Sequence, residues 1–400
     1  MIFLSGADVV LPDRVLGPAT IAIDEGRIVE IASGVRPRGA RDEVVDIHQH
    51  VVVPGFIDVH VHGVEGSDTL DGGEAIRRIA SRLPRFGVTA FCPTSIACHP
   101  GALRRMLGAV REARLRPERG ASRVLPAHLE SNFINPAFNG AQPLECLRLP
   151  VSSQPTDKES GEAEDFSGAD ILREIDSASA DIGIVTLAPE LDGGIDLVRH
   201  LVAAGHHVSL GHSGATYEEA QAGIAAGARQ ATHLFNRMSP LGHRAPGLTG
   251  AVLEREDVTV ELVSDGVHVH PAVMRVALAA KTPARVMAIT DGTAGSGLPR
   301  GARTTIGGRP ITVGDVARLD DGTIAGSVLT MDRAFGVLVA ACGLGLVEAA
   351  AICSTTPARQ LGLQGLGTIS PGSTADLVVL DARLRVAQTW IGGTRVWPLS

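Results

Sequence analysis

The sequence predicts an α/β fold, a (β/α)8 TIM-like barrel joined to a small β-sandwich domain formed from both chain ends. Two observations predict it. In the middle of the chain, eight short β-rich runs alternate with longer helical patterns, and eight is the number of such units that closes a barrel. At both ends the pattern changes to hairpins. ATIAIDEGRIVEI turns on Asp24-Glu25-Gly26, and ADLVVLD followed by VAQTWIGGTRVW turns on a Gly-Gly pair. Neither end has enough strands for a stable sheet alone, so the two ends are expected to pair. The expected division is residues 1–52 and 366–400 for the sandwich and 53–365 for the barrel.

Composition agrees with this class. A chain of 400 residues holds one large unit and one small one. With 44% hydrophobic residues and only 3% aromatic, it reads as a packed α/β enzyme, not a stacking platform for nucleic acid. The net charge of −8 and the lack of any basic run exclude nucleic acid and anionic membranes as partners. The five cysteines form no C-x-x-C, which argues against a disulfide framework and a zinc ribbon and suits a reducing cytoplasm. The opening MIFLSGADVV lacks the basic start of a signal peptide. The longest apolar stretch, Phe335 to Cys353, carries Glu348 and several glycines and reads as two packed helices, not a membrane span.

The eight expected barrel strands are Phe56–His60, Val88–Pro93, Val124–Glu130, Ile182–Leu187, His207–Gly211, Gln230–Leu234, Val258–Ser264 and Val286–Asp291. Helical segments follow most of them, such as GGEAIRRIASRLPRFG after the first. One polar segment, Ser152 to Gly168, interrupts the rhythm and reads as a long exposed loop, either a plain insertion or a lid.

Barrel enzymes build their sites at the C-terminal ends of the strands. Five of the eight ends carry chemistry here: His60 and His62 on the first, Glu130 on the third, His212 on the fifth, His233 on the sixth and Asp291 on the eighth. Imidazole and carboxylate are the ligands a Zn²⁺-like ion takes. His60 and His62, one residue apart, fall on the same face of a strand and can chelate one ion. Taken alone, a His-x-His more often marks two partly buried core histidines; the ensemble at strand ends carries the metal reading. Asp291 in ITDG has a bland reading as turn chemistry. Its functional reading is a general base, because a metal acidifies water and a nearby carboxylate can take the proton and return it to a leaving group. Gly292 to Gly297 lacks the lysine of a phosphate loop. Gly362, Gly365 and Gly367 follow a helix where a dinucleotide fingerprint needs a strand, and Ser213 and Ser327 lack a triad context.

The motifs VVVPGFIDVHVHG, HLESNFINPAFNGA, TLAPE, GHSGATY, THLFNRMSP, SDGVHVHP, ITDG and AGSVLTM, with the closing GTISPGSTADLVVLD, resemble the N-acetylglucosamine-6-phosphate deacetylase family of the amidohydrolase superfamily. They run in family order over nearly the whole chain. The resemblance implies a cytoplasmic homodimeric hydrolase with one or two divalent ions, zinc first, with iron, manganese or cobalt as alternatives. It implies that Glu130, His212 and His233 hold the main ion, that His60 and His62 hold a second in two-metal members, and that Asp291 is the acid/base. It also implies a phosphorylated amino sugar as substrate, met by Asn236, Arg244 and His268, with Arg244 reaching across the dimer. The bland reading of Arg244 is a surface salt bridge.

Three departures border the expected pocket. Ser131-Asn132 replace Gly-Pro after the glutamate, Arg237 replaces a small residue after Asn236, and Gln142 stands where a histidine is frequent. Arg237 either adds a phosphate contact or fills space used by the sugar, and Gln142 faces the substrate on this reading. An amidohydrolase of the same fold acting on another N-acyl or cyclic amide is therefore the alternative. A non-enzymatic binding protein would be signalled by lost ligands, and none is lost.

Overall fold

The structure is a computed structural model and describes residues 1–35, 43–150 and 166–398. The expected Ser152–Gly168 loop lies outside the described residues over 152–165.

The eight barrel strands are Phe56–Val61, Val88–Ser95, Ala127–Glu130, Ile182–Leu187, His207–Leu210, Gln230–Ala231, Thr259–Val263 and Val286–Ile289. Each pairs in parallel with the next in chain order. A parallel bridge from Val61 to Gly292 closes the ring between the first and eighth. His62 N donates to the Gly292 carbonyl at 2.8 Å and Asp291 N to the His60 carbonyl at 3.0 Å in the same seam. Strands buried on both faces need near-continuous apolar runs, and these have them: Val88–Ser95 and Thr259–Val263 are buried throughout. The helices between successive strands are Ala75–Arg82, Pro100–Leu115, Gly168–Ser177, Gly194–Ala203, Tyr217–Ala225, Gly247–Glu254 and Pro271–Lys281; Met331–Ala340 follows the eighth. Four of these eight starts are capped in ways the sequence shows. Thr216 and Ser167 form capping boxes with Glu219 and Asp170, and His99 and His270 each cap a helix whose first residue is proline.

The observed third strand is shorter than expected because Pro126 interrupts it; Arg123–Val124 pairs separately with the second strand. The fifth, sixth and eighth strands stop before their expected ends, at Leu210, Ala231 and Ile289. An antiparallel sheet of Arg303–Ile306, Arg309–Val313 and Ala317–Leu319, not foreseen in the sequence, is inserted between the eighth strand and its helix. The Phe335–Cys353 stretch is helical as expected: Met331–Ala340, then Leu346–Ala350 running through a π turn, Ala351–Thr355, into Thr356–Gln360.

The two chain ends meet in one eight-stranded sheet. Leu377–Leu380 pairs antiparallel with Val51–Pro54, which lies beside Ile2–Val10. The Val15–Asp24 and Arg27–Ser33 hairpin extends one side, and Val386–Ile391 with Thr394–Trp397 extends the other. Ile2–Val10 also pairs with Glu43–Asp46, so the sheet folds over itself as a small sandwich. Leu4, Ile21, Ile28, Val52, Leu377, Val379 and Trp390 fill its interior, separate from the core around the barrel. Asp376 ties the two regions together, accepting both Arg123 nitrogens at 3.1 and 3.0 Å and Gly392 N at 2.7 Å. No helix among the described residues is long and apolar enough to cross a membrane.

Candidate active site

Alternate residues of a strand share a face, so Asp58 and His60 on the first strand with His62 directly after it, and His128 and Glu130 on the third, point together into the barrel. All five are buried. His212, His233 and Asp291 reach the same point differently. Each lies two residues beyond the last residue of its strand and has a positive φ, of 48°, 31° and 49° respectively. That left-handed backbone is uncommon for a residue other than glycine. It explains the early strand ends: the chain leaves the sheet and turns the side chain back over the barrel mouth.

Six predicted residues converge there. Glu130 Oε1 lies 2.8 Å from His212 Nε2 and 2.9 Å from His233 Nε2, and those two nitrogens are 3.1 Å apart. On the other side, His60 Nε2 and His62 Nε2 are 3.2 Å apart, and Asp291 Oδ1 lies 3.5 and 3.2 Å from them. Glu130 Oε2 is 3.6 Å from His62 Nε2, so the carboxylate stands between both histidine pairs. Donors bound tetrahedrally at 2.0–2.1 Å lie about 3.3 Å from one another. Both sets, His60/His62/Glu130 and Glu130/His212/His233, have that spacing closely enough to hold an ion each. Tautomers agree. His212 Nδ1 donates to the Phe138 carbonyl at 2.8 Å and His60 Nδ1 to Glu261 Oε2 at 2.9 Å, which leaves each Nε2 lone pair facing the centre.

The electrostatics call for a cation. Burial works to raise Glu130, but His212 and the hydrogen bonds around it outweigh burial and hold the carboxyl well below its usual range. Asp291 is likewise held low, against its own burial, by the His62 hydrogen bond and by His60. Burial opposes a charge on His60, yet the Glu261 bond and charge prevail and push it up to about 10. Ionised carboxylates thus face His60 and His233, both shifted towards holding a proton, and a divalent ion would replace those protons.

A cavity of about 200 Å³ opens over these groups. Asn236, Arg237, His268 and Gln142 line it, together with Ile96, Ile306 and Ile324, the last two from the inserted sheet region. His268 Nδ1 pairs with Asp265 Oδ2 at 2.6 Å, and Asn236 Nδ2 donates to the His233 and Leu234 carbonyls at 3.3 Å. Gln142 Oε1 accepts Ala97 N at 2.7 Å, so its amide nitrogen must be the atom that donates to Glu130 Oε2. Arg244 is not brought there: it is exposed and lines no part of the cavity within its own chain. Ser131 and Asn132 turn away from the cavity. Ser131 Oγ donates to the Thr186 carbonyl at 2.5 Å and Asn132 Nδ2 to the Cys98 and Cys146 carbonyls at 2.8 and 2.7 Å. Ser213 and Ser327 are loop residues, bonded to Glu190 and to the Thr290 carbonyl.

Sequence reasoning missed a polar layer beneath the ligands. Asp58 accepts Thr290 Oγ1 at 2.6 Å, and burial pushes its carboxyl up to about 7. His128 donates from Nδ1 to the Val59 carbonyl at 2.9 Å, and Nε2 meets Thr186 Oγ1 at 2.7 Å. Burial pulls His128 down to about 4, so it is neutral. Glu261 carries the seventh strand's contribution. The available signal was their spacing, since Asp58 and His128 each lie two residues before a ligand.

The model of the amidohydrolase family matches residues 51–396. The chain is 32% identical to N-acetylglucosamine-6-phosphate deacetylase of Bacillus subtilis, over 95% of this chain and 93% of that protein. It is 34% identical to N-acetylgalactosamine-6-phosphate deacetylase of Escherichia coli O157:H7, over 88% and 89%. The crystal structure of N-acetyl-D-glucosamine-6-phosphate deacetylase from Mycobacterium smegmatis superposes with a TM-score of 0.85 at 32% identity, covering 99% of this chain and 100% of that one.

Proposed function

The chain belongs to the N-acetylglucosamine-6-phosphate deacetylase family of the amidohydrolase superfamily, and we propose that it hydrolyses the acetamide of a phosphorylated N-acetylamino sugar to acetate and the free amine. The observation that carries this is the pair of histidine sets sharing Glu130, with Asp291 beside them under a cavity that Arg237 and His268 line. Glu130, His212 and His233 would hold the principal divalent ion, zinc first, and His60 and His62 a second. Such an ion supplies a Lewis acid and a more acidic water at neutral pH.

The chain's own residues do the rest. Asp291, ionised and hydrogen-bonded to His62, takes the proton of the attacking water. It returns that proton to the amide nitrogen as the C–N bond breaks, so acetate and amine leave with the water's atoms divided between them. The guanidinium of Arg237, without an ion pair among the described residues, meets the phosphate; His268 Nε2 and Asn236 orient the sugar. Gln142 holds Glu130 in place. We read the enzyme as a cytoplasmic homodimer in which Arg244, exposed and clear of its own cavity, serves the partner's site. On the same reading, residues 1–52 and 366–400 form a domain apart from the 53–365 barrel, supported by their separate core.

Acetate release by metal-supplied enzyme tests this, with N-acetylglucosamine-6-phosphate, its galactosamine isomer and the unphosphorylated sugars as arms. Release from a phosphorylated sugar is expected. A preference for unphosphorylated or other N-acyl substrates would support the second reading, motivated by Gln142 on the shared carboxylate and Arg237 in the cavity. No release from any phosphorylated amino sugar would overturn the first.

A further inference from the structure

Glu261, in the seventh barrel strand, is fully buried and takes no direct part in the hydrolysis. A buried carboxylate is costly unless it is paired. Its Oε1 accepts Gln230 Nε2 at 2.6 Å, and its Oε2 accepts His60 Nδ1 at 2.9 Å. The backbone N–H of His233 approaches the same oxygen at a long 3.4 Å.

His60, His128 and Glu261 lie close enough together to suggest an ion of their own. The His128 contacts exclude that. Its Nδ1 is 2.9 Å from the Val59 carbonyl, which only accepts, so this nitrogen carries a hydrogen and has no lone pair to offer. Its Nε2 is taken by the Thr186 hydroxyl. The partner of consequence for Glu261 is therefore His60.

We propose that Glu261 is a positioning residue that makes His60 a metal ligand and so determines whether the second ion, at His60, His62 and Glu130, is held. This rests on the metal-hydrolase reading of the site. A carboxylate offers only acceptors, so the hydrogen must sit on His60 Nδ1, and the Nε2 lone pair is left facing His62 Nε2 at 3.2 Å. The ring is also fixed in direction, edge-on to His62 and His128 at centroid separations of 5.0 and 4.6 Å. A carboxylate behind a ligating imidazole orients the ring and raises its basicity. In the other histidine set the His212 ring is oriented by the Phe138 carbonyl, and Glu261 meets His233 only through its backbone N–H at a long 3.4 Å, so the effect of Glu261 on a ligating ring falls on one ion.

Metal-free parent, Glu261→Gln and Glu261→Leu are titrated with Co²⁺, read by d–d absorption and by metal analysis after ultrafiltration, with far-UV circular dichroism as the folding control. Gln keeps an acceptor without the charge, and Gln230, whose Oε1 has no partner among the described residues, can turn its amide to meet it. The parent is expected to take two equivalents. Glu261→Gln should keep the first unchanged and bind the second about 10–100-fold more weakly, and Glu261→Leu should lose the second. A merely structural role would weaken both equivalents together and so overturn the proposal. Two equivalents of parental affinity in Glu261→Gln also overturn it, as does a parent that takes only one; neither result touches the hydrolase reading, which needs only the ion at Glu130, His212 and His233. A parent that binds no cobalt overturns that reading and the proposal with it. Should Glu261→Leu not fold, Glu261→Gln carries the test.

Discussion

Asp58 makes the stability of the metal-free protein depend on pH in a way that one substitution isolates. The residue lies two positions before His60 on the first barrel strand and has no solvent exposure. Burial raises its carboxyl from 3.8 to about 7, more than the hydrogen bonds from Thr290 and His60 lower it. Below about pH 4 the group is protonated in both states and folding carries no penalty. Between about pH 4 and 7 the unfolded chain releases the proton while the folded chain keeps it, so stability falls by about 1.4 kcal/mol per pH unit. Above the folded value the loss levels off, at on the order of 4 kcal/mol for a shift of about three units. Asn is the neutral isostere. Its Oδ1 would keep the two backbone N–H groups now at 3.3 Å, and its amide would donate to Thr290 Oγ1, whose hydrogen can turn to the His60 carbonyl at 3.5 Å. Urea unfolding of chelator-treated parent and Asp58→Asn across this range should give curves that agree near pH 4 and diverge, with Asn the more stable, by pH 8. A difference that does not change with pH would refute the account, because Asp58 would then take up no extra proton on folding.

Three further outcomes follow from the site and its frame. Asp291→Asn should lower kcat by about 10²–10⁴ while metal analysis still finds the ion at Glu130, His212 and His233. Arg237→Met should raise KM for phosphorylated substrates by about tenfold or more, the worth of a lost charge-assisted hydrogen bond, and leave the unphosphorylated sugars unaffected in the same steady-state assay. Asp376→Ala should destabilise by about 1–3 kcal/mol in urea unfolding, since it leaves Gly392 N–H and the Arg123 fork without their acceptor.

The barrel was legible because parallel strands buried on both faces must be apolar almost throughout, and Ile182–Leu187 and Val286–Ile289 stand out as such runs. The ligands were legible because they interrupt those runs at one end. Glu261 and His128 were not, because a polar residue inside an apolar strand has no sign of its own: period-two alternation leaves open which face looks inward. Only the register shared with known ligands resolves it, and Glu261 has no ligand on its own strand to supply one. The inserted sheet at 303–319 was hidden by Pro310 in its middle strand, a residue that normally argues against a paired strand. Arg244 shows another limit. Its motif was plain, yet the fold of one chain leaves it exposed and away from the cavity.

The backbone at His212, His233 and Asp291 links the fold to the site. Continuing as strand, each chain would carry its side chain along the sheet, and residues from the fifth, sixth and eighth strands would stay on separate walls of the barrel. The left-handed turn two residues past each strand brings them over one point. A strained conformation of this kind costs of order 1–3 kcal/mol per residue and persists only where its surroundings over-determine it. They do so here. The His212 carbonyl accepts Asn135 N at 2.9 Å, the His233 carbonyl accepts Asn236 N at 2.9 Å, and Asp291 is bonded from N to the His60 carbonyl and from its own carbonyl to Ser327 N at 2.8 Å. Those partners lie on the loops after the third, sixth and eighth strands and on the first strand itself. The closed barrel therefore supplies the strain that assembles the site, and the convergence of ligands belongs to the fold as a whole, not to any strand that carries one of them.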